Sequence, residues 1–241
     1  MIEQLKKDLF AKYKYRTELH AHTNPVSGCS NVSPKEMAKI YHEQNYDALV
    51  ITNHFFRGLL RDKSKEEIID AYIKSYEETA EYAKEYGLKV ILGAELRFTE
   101  NTNDYLLFGV DRDILSFCYD WFDKGVEKFR KETTLERSVF IQAHPFRNNM
   151  ELVDPQLLDG IEIFNLHPNH NSRIAMATKY AHENNIKIRT AGTDFHHKDC
   201  GHEGLTALRT TVLPKDSFDL AQILKSGDYV FEVGKNTIVL P

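Results

Sequence analysis

Short apolar runs separated by polar segments recur along the chain and set its predicted secondary structure. A continuous apolar run of about four to eight residues is typical of a strand that is buried on both faces, as in a parallel sheet. Residues 48–52 form such a run, and further extended-looking segments predict strands at 13–19, 88–94, 105–110, 138–143, 160–164 and 186–191. Two further runs, at 229–233 and 237–240, predict a terminal hairpin.

Between these strands, apolar residues recur at helical spacing. Ser33, Pro34 and Glu36 mark the start of one helix, because Ser33 can be the N-cap, Pro34 suits the first helical position and Glu36 completes a capping box. The other predicted helices cover residues 1–10, 65–86, 115–131, 171–183 and 214–225.

The alternation of strands and helices predicts an α/β protein with parallel βα units. About seven such units in a chain of this length favour a barrel over an open sheet. The sequence contains no Gly-x-Gly-x-x-Gly motif and no Walker loop, which argues against a nucleotide-binding sheet.

The 241-residue chain is long enough for one large domain, and no linker rich in proline, glycine or serine divides it. We therefore expect one domain over residues 1–241, in which residues 205–241 add a C-terminal helix and strands. The net charge of −5 is spread along the chain, which makes nucleic acid an unexpected partner and predicts no membrane-binding patch.

No apolar run is long enough to cross a bilayer, and the charged first ten residues do not resemble a signal peptide. The three cysteines, Cys29, Cys118 and Cys200, lie far apart and form no Cys-x-x-Cys pair. This pattern argues against a disulfide framework and a structural zinc finger, and it favours the reducing cytoplasm.

Residue types that commonly bind metals follow the predicted strands. His20 and His22 follow the first strand, and residues two apart on a strand point to the same side, so both imidazoles can face one point. In (β/α) barrels the active site lies at the C-terminal ends of the strands. The candidate metal ligands at these ends are His20, His22, His54, Glu95, His144, Asp194 and His196.

Imidazole and carboxylate ligands suit Zn, Mn or Fe better than Ca or Cu(I). Seven ligands exceed the four of one tetrahedral site, and a carboxylate such as Glu95 can bridge two ions, so we expect two or three divalent metal ions. Neighbouring metal ions activate a shared water and bind the oxygens of a phosphoryl or acyl group. Arg57, Arg97 and Arg147 each follow a candidate ligand, and Arg147 is the best candidate to bind a phosphate.

Five of these segments resemble the successive motifs of the PHP (polymerase and histidinol phosphatase) superfamily. They read Glu-Leu-His-Ala-His-Thr at 18–23, Val-Ile-Thr-Asn-His at 50–54, Gly-Ala-Glu at 93–95, Ala-His-Pro at 143–145 and Gly-Thr-Asp-Phe-His at 192–196. Their order and spacing match the family from residue 16 to about residue 200. The resemblance implies a distorted (β/α)7 TIM-like barrel with a multinuclear metal centre that hydrolyses phosphate esters.

The resemblance also implies how the candidate ligands are shared among three metal positions. The first position takes His20, His22, Glu95 and Asp194. Glu95 and His144 reach the second position, and His54 and His196 hold the third.

The chain departs from the family pattern at three places. The family loop after the two histidines often carries an Asp or His ligand to the third metal, whereas residues 26–31 offer only Cys29, a weak substitute. Asn53 stands where the family has an aspartate that would support His54. The family histidine before the next strand is also missing, and the segment reads Asn-Asp-Tyr at 103–105, so either another residue substitutes or the centre holds fewer ions.

The sequence hypothesis is a metal-dependent phosphoesterase in which metal-activated water attacks a small phosphate ester in line. In this hypothesis Arg147 binds the phosphate, and either a metal or a rim histidine, with His196 as the candidate, assists the leaving group. A nuclease or phosphodiesterase acting on single-stranded nucleic acid, a histidinol phosphatase and a non-catalytic metal-binding module remain alternatives. The sequence carries no code for the leaving group or the oligomeric state.

Four further histidines belong to predicted loops near this site. His167 and His170 follow a strand end, where a contact with substrate and a surface position are both open. We expect His197 and His202 to lie in a solvated loop.

Overall fold

The structure, a computed structural model, describes residues 2–201, 204–234 and 237–240. The described helices are α1 (Ile2–Lys12), α2 (Pro34–Glu43), α3 (Lys65–Lys84), α4 (Arg112–Tyr119), α5 (Val126–Glu132), α6 (Ile174–Glu183) and α7 (Ser217–Ser226). The described strands are β1 (Tyr15–Ala21), β2 (Ala48–Ile51), β3 (His54–Phe56), β4 (Lys89–Leu92), β5 (Ala94–Arg97), β6 (Asp104–Phe108), β7 (Val139–Gln142), β8 (Gly160–Asn165), β9 (Ile188–Gly192), β10 (Thr206–Thr210), β11 (Tyr229–Val233) and β12 (Thr237–Val239).

The strands form two six-stranded sheets with the orders β12-β11-β10-β1-β2-β4 and β3-β5-β6-β7-β8-β9. Parallel pairing joins β1 to β2, β2 to β4, β3 to β5, β7 to β8 and β8 to β9. The remaining pairs are antiparallel, and they include the C-terminal strands β10, β11 and β12. The prediction of an α/β fold with parallel strands is confirmed.

Most predicted elements are present, and the capping box that starts α2 is confirmed: Ser33 accepts a hydrogen bond from the N–H of Glu36, and the Glu36 side chain accepts one from the N–H of Ser33. The predicted helix over 115–131 is instead divided into α4, a 3-10 turn at Phe122–Lys124 and α5. Gly125 separates the 3-10 turn from α5, because its φ of 81° lies in the left-handed region, where a right-handed helix cannot continue.

Strand β6 departs from the expected parallel order, because it pairs antiparallel with both β5 and β7. Residues 98–103, which connect β5 to β6, contain no helix, and so short a connection makes a hairpin instead of a crossover. As a result, Asp104 at the start of β6 pairs with Arg97 at the end of β5. The first residue of β6 therefore lies at the rim where β5 ends.

Backbone hydrogen bonds also link the two sheets. The N–H of Gly93 donates to the carbonyl of Ile51 at 2.9 Å. The hydrogen bonds between β2 and β4 therefore continue toward those between β3 and β5. On the other side, Ala21 and Phe195 form a parallel bridge, and the N–H of Phe195 donates to the carbonyl of His20 at 3.2 Å. The segment after β9 thereby contacts the end of β1.

Apolar side chains are buried along the strands, and every residue of β2 and β7 is buried. This is the burial expected of strands that are covered on both faces. Within the part of the chain that the structure describes, no helix combines the length and the apolar character needed to cross a membrane.

Glu18 is a buried carboxylate that ties β1 to the segment after β9. Its Oε1 accepts hydrogen bonds from the N–H groups of Leu19, His20 and Thr193 at 3.0, 3.0 and 3.1 Å. Its Oε2 accepts hydrogen bonds from the hydroxyls of Thr193 and Tyr41 at 2.9 and 3.3 Å. Burial raises the pKa of Glu18 to about 7, although these hydrogen bonds oppose the rise.

We predict that Glu18→Ala lowers the free energy of unfolding by about 3–5 kcal/mol, because it leaves several buried donors without an acceptor. Glu18→Gln should lower the free energy of unfolding clearly less, since its amide oxygen can still accept hydrogen bonds from the three N–H groups. Urea denaturation followed by circular dichroism measures both losses. The control is Glu77→Ala on the exposed side of α3, and a Glu18→Ala loss no larger than that of the control would contradict the prediction.

Candidate metal centre

Glu95 lies fully buried among four imidazoles. Its Oε1 lies 3.2 Å from Nε2 of His20 and 3.0 Å from Nε2 of His144. Its Oε2 lies 2.7 Å from Nδ1 of His54 and 3.4 Å from Nε2 of His22. Four predicted ligands from three separate segments of the chain therefore meet around a fifth.

Asp194 completes this group. Its Oδ1 lies 3.4 Å from Nε2 of His20, 3.3 Å from Nε2 of His22 and 3.3 Å from Nδ1 of His196. The same Nδ1 of His196 donates a hydrogen bond to the backbone carbonyl of Asp194 at 2.9 Å. The structure thus brings all seven predicted ligands into one connected cluster, which we call the histidine–carboxylate cluster: His20, His22, His54, Glu95, His144, Asp194 and His196.

The backbone at two of these positions is in an uncommon conformation. His144 has a φ of 29° and Asp194 a φ of 53°, both in the left-handed region. Such a conformation costs a non-glycine residue about 1–3 kcal/mol and persists where the surroundings hold it in place. The fold therefore imposes the direction of both side chains.

Gly192 allows β9 to approach β1 closely. A Cβ at this position would lie 2.4 Å from Cβ of His20 and 2.7 Å from Oε1 of Glu162. Any side chain at this position would therefore displace His20.

Glu162 positions two of the imidazoles, although we did not predict it as a site residue. Its Oε1 lies 2.9 Å from Nδ1 of His20, and its Oε2 accepts a hydrogen bond from the backbone N–H of His144 at 2.9 Å. A carboxylate that accepts from one ring nitrogen fixes the tautomer and leaves the other nitrogen free to bind a metal. The signal in the sequence was a charged residue inside the otherwise apolar strand β8.

Ser27 plays the same part for His22, whose Nδ1 lies 3.2 Å from Oγ of Ser27. The hydroxyl of Ser27 donates to Oδ1 of Asn53 at 2.9 Å, and this oxygen also accepts from the N–H of Thr23 at 2.6 Å. Asn53 therefore holds the loop after β1, while the Nδ1 of His54 contacts Glu95.

Two buried ring nitrogens face the centre of the cluster without a hydrogen-bond partner, Nε2 of His20 and Nε2 of His22. A buried polar atom that makes no hydrogen bond destabilises a fold, so it calls for a partner that is not a protein group. Since the opposite nitrogens face Glu162 and Ser27, both Nε2 atoms can present a lone pair. The residues present therefore fit a cation.

Several groups of three side chains place ligand atoms within 4.8 Å of one another and are able to hold a metal ion. Among the described residues, the groups are His22–His54–His196, His20–His22–Glu95, His20–His144–Asp194 and His54–Glu95–Asp104.

Asp104 is the member that the sequence did not identify. It occupies the segment where the family histidine is missing, and its Oδ2 lies 3.8 Å from Nε2 of His144. Arg97 forms a two-pronged ion pair with it, at 2.7 and 2.8 Å. The signal that could have found Asp104 was the short connection before β6, which predicts a hairpin.

The other two predicted arginines differ in their surroundings. Arg147 donates from Nη2 to Oδ2 of Asp194 at 2.6 Å and to Oδ1 of Asn165 at 2.8 Å. Arg57 instead pairs with Asp123 at 2.6 Å, and both side chains are more than two-fifths exposed. Arg147 belongs to the cluster, whereas a surface ion pair accounts for Arg57.

A cavity of about 630 Å³ opens beside the cluster. Arg97 and Arg147 line it together with His167, His170 and His197. His197 lies in a partly exposed loop that forms part of the cavity wall, and His202 lies outside the described residues. Basic and imidazole groups at the wall provide donors for an anionic ligand.

The electrostatics of the cluster are those of tightly paired opposite charges. Burial opposes the protonation of His20, but Asp194, Glu162 and Glu95 outweigh it and raise the pKa of His20 well above its usual value. Burial likewise opposes ionisation of Glu95, but His20 and His54 hold its pKa well below the usual range.

Other imidazoles respond differently to their neighbours. The pKa of His22 is lowered well below its usual value by burial and by repulsion from His196 and His54. The pKa of His196 rises to about 9, because Asp194 and Cys29 outweigh its burial. Burial also opposes ionisation of the Cys29 thiol, but hydrogen bonds with His196 and His54 outweigh it and lower the pKa to about 6.

Comparison with known proteins gives one family. A family model described as PHP domain matches residues 18–217. No curated protein matches the chain.

The solved structures that resemble the chain are distant in sequence. A two-domain protein from Bacteroides vulgatus, containing a predicted PHP-like metal-dependent phosphoesterase, has a TM-score of 0.57 at 13% identity, over 91% of this chain and 65% of that chain. A suggested metal-dependent phosphoesterase from Bifidobacterium adolescentis has a TM-score of 0.49 at 15% identity, over 87% and 95% of the two chains. An amidohydrolase from Chromobacterium violaceum with bound sulfate has a TM-score of 0.48 at 14% identity, over 76% and 88%. The likeness to the Bacteroides protein supports the fold alone.

We predict that metal binding releases protons and strengthens as the pH rises. The raised pKa values of His20, His54 and His196 mean that these rings carry protons at neutral pH, and a ring must lose its proton to become a ligand. The affinity should therefore increase by up to about tenfold per pH unit for each proton released, until the pH passes the pKa of about 9 of His196.

Titration calorimetry of Zn²⁺ or Mn²⁺ in buffers of different ionisation enthalpy measures the number of protons released. His54→Gln should lower this number, whereas His42→Gln, at an exposed position on α2, should leave it unchanged. Binding that is independent of buffer and pH would contradict the prediction.

Proposed function

Because the chain belongs to the PHP domain family, we propose that it is a metal-dependent phosphoesterase that hydrolyses a small phosphate ester. The observation that carries this proposal is the histidine–carboxylate cluster, in which buried ring nitrogens without a hydrogen-bond partner lie beside a cavity with arginines at its wall. Imidazole and carboxylate donors in this number suit more than one divalent cation of the Zn, Mn or Fe type.

The proposal assigns protein ligands to each cation position, with Glu95 shared by two of them. His20, His22, Glu95 and Asp194 would hold the first, and Glu95 and His144 would reach the second. Asp104 would join the second position in place of the missing family histidine, since its Oδ2 lies 3.8 Å from His144. His54 and His196 would hold the third. When bound, such cations lower the pKa of a water molecule and stabilise negative charge on phosphoryl oxygens.

Arg147 has two parts in this proposal. It holds Oδ2 of Asp194, which directs Oδ1 of the same carboxylate toward His20 and His22. It also lines the cavity, and its buried Nε has no hydrogen-bond partner. The guanidinium can therefore bind a phosphate oxygen while it orients a metal ligand.

The two roles predicted for His196 exclude each other at any one moment. Its Nδ1 donates to the carbonyl of Asp194, so a single nitrogen, Nε2, remains. This nitrogen can bind a cation or donate a proton to a leaving group, and we propose that it binds the cation. A bound cation or another group at the cavity wall would then assist the leaving group.

We also propose that the two sheets act as one distorted seven-stranded barrel with the cluster at its rim. Two observations support this proposal: the hydrogen bond from Gly93 to Ile51 between the sheets, and the bridge between Ala21 and Phe195. In this arrangement β2 and β3 together count as one interrupted strand, and β4 and β5 count as another. The barrel closes where β9 meets β1.

We predict that removal of metal by chelation abolishes phosphoesterase activity and that added Mn²⁺, Zn²⁺ or Fe²⁺ restores it. The substrate panel should compare p-nitrophenyl phosphate, its bis-p-nitrophenyl diester, histidinol phosphate and a single-stranded oligonucleotide. Elemental analysis of the same sample gives the number of ions per chain.

Each alternative has its own outcome in this experiment. Preferred cleavage of the oligonucleotide would favour the nuclease, and selective turnover of histidinol phosphate would favour the histidinol phosphatase. One bound ion without turnover of any substrate would favour a non-catalytic module. Activity that survives complete chelation would refute the proposed function.

We predict that Arg147→Lys lowers kcat/KM by about 10- to 100-fold, because a lysine keeps the charge but cannot bind Asp194 and a phosphate oxygen together. Steady-state kinetics with the best substrate of the panel measures the loss, and elemental analysis checks that the variant keeps its metal. Arg57→Ala is the matched control, since Arg57 pairs with Asp123 at the surface. An unchanged kcat/KM in Arg147→Lys would remove Arg147 from the proposed site.

A further inference from the structure

Asn165, the last residue of β8, lies between Arg147 and the predicted metal ligand Asp194. Its side chain is buried, and the side-chain oxygen faces three donors. This Oδ1 accepts hydrogen bonds from Nη2 of Arg147 at 2.8 Å, from the backbone N–H of His167 at 3.2 Å and from the hydroxyl of Ser172 at 3.3 Å. The oxygen of Asn165 therefore connects the loop after β7 with the loop after β8.

The amide nitrogen of Asn165 faces two carboxylates instead. Nδ2 donates to Oε2 of Glu162 at 3.0 Å and to Oδ2 of Asp194 at 3.2 Å, which uses both of its hydrogens. Nη2 of Arg147 donates to the same Oδ2 of Asp194 at 2.6 Å. Arg147, Asn165 and Asp194 thus form a closed ring of three hydrogen bonds.

These hydrogen bonds determine which oxygen of each carboxylate faces the imidazoles. Oδ2 of Asp194 accepts from Asn165, and Oδ1 lies 3.4 Å from Nε2 of His20 and 3.3 Å from Nε2 of His22. Oε2 of Glu162 also accepts from Asn165, and Oε1 lies 2.9 Å from Nδ1 of His20. Asn165 therefore acts on the first cation position through these two carboxylates.

The position of Asn165 requires an acceptor on one side and two donors on the other, and an amide supplies both. An aspartate would place a third carboxylate against Glu162 and Asp194, and like charges so close together repel each other. An alanine would leave buried polar groups of Arg147 and of both carboxylates with fewer partners. The reverse orientation of the amide would set its oxygen against the two carboxylates, so the hydrogen-bond network assigns the orientation described here.

We propose that Asn165 is a positioning residue that couples the guanidinium of Arg147 to the metal ligand Asp194. This inference rests on the proposed metal-dependent function, in which Arg147 binds a phosphate oxygen. The ring of hydrogen bonds then determines both where that oxygen can bind and which oxygen of Asp194 remains for a cation. Loss of the amide should therefore weaken phosphate binding and cation binding together.

A double-mutant cycle tests the coupling to Arg147, with the dissociation constant of inorganic phosphate measured by titration calorimetry in saturating Mn²⁺. Asn165→Ala should weaken phosphate binding by about 10- to 100-fold, because it removes the group that holds the guanidinium in place. In the Arg147→Ala background, the same substitution should change the dissociation constant by less than about threefold, since the guanidinium is absent.

The affinity for Zn²⁺ tests the coupling to the first cation position. Asn165→Ala should weaken the tightest Zn²⁺ site by about 10- to 100-fold, as is usual when a residue that orients a metal ligand is lost. The control is Asn184→Ala at the exposed end of α6, which should change neither phosphate binding nor Zn²⁺ binding. Asn165→Ser, which keeps a smaller hydrogen-bonding group, takes the place of Asn165→Ala in both measurements if circular dichroism shows that the alanine variant is unfolded.

The outcomes separate this inference from the proposed function. Effects of Asn165→Ala and Arg147→Ala that multiply in the double variant would overturn the coupling, because they would show that the two residues act independently. An unchanged Zn²⁺ affinity, or a wild-type protein that binds no phosphate, would also overturn it. Turnover of the substrate panel by the wild-type protein decides the proposed function in a separate measurement.

Discussion

The burial of Glu95 among imidazoles is the constraint on which the site depends. A carboxylate that is fully removed from water is strongly destabilising unless positive charge surrounds it, and His20 and His54 supply that charge here. The same arrangement leaves nitrogens of His20 and His22 without hydrogen bonds. The cluster thus balances its charge by protonation in the absence of a cation, and a bound cation would replace protons on the imidazoles.

The sequence predicts much of this site, because the geometry of strands is regular. His20 and His22 are two residues apart at a strand end, and His54 and Glu95 face each other in the parallel pair of β3 and β5. Motif order then identifies His144, and it identifies Asp194 and His196 after β9. Short apolar runs and a capping box are local signals, so most strands and the start of α2 are also predictable.

What the sequence does not predict depends on tertiary pairing. Asp104 reaches the cluster because β6 runs antiparallel to its neighbours, and the pattern of apolar residues does not encode direction. Glu162 supports His20 from β8, a strand far away in sequence, and only the packing of β9 against β1 at Gly192 brings the two together. The ion pairs of Arg97 and Arg147 likewise follow from which carboxylates the fold places beside them.

The donors are unequally distributed, and this distribution constrains the chemistry. Carboxylates concentrate where Glu95, Asp104 and Asp194 meet the arginines, whereas His22, His54 and His196 form a group of imidazoles. Hard oxygen ligands and softer nitrogen and sulfur ligands prefer different cations. Under the proposed function, an anionic substrate would be attracted to the side where Arg147 lines the cavity, so a cation on the carboxylate side would be best placed to share a phosphoryl oxygen with a guanidinium.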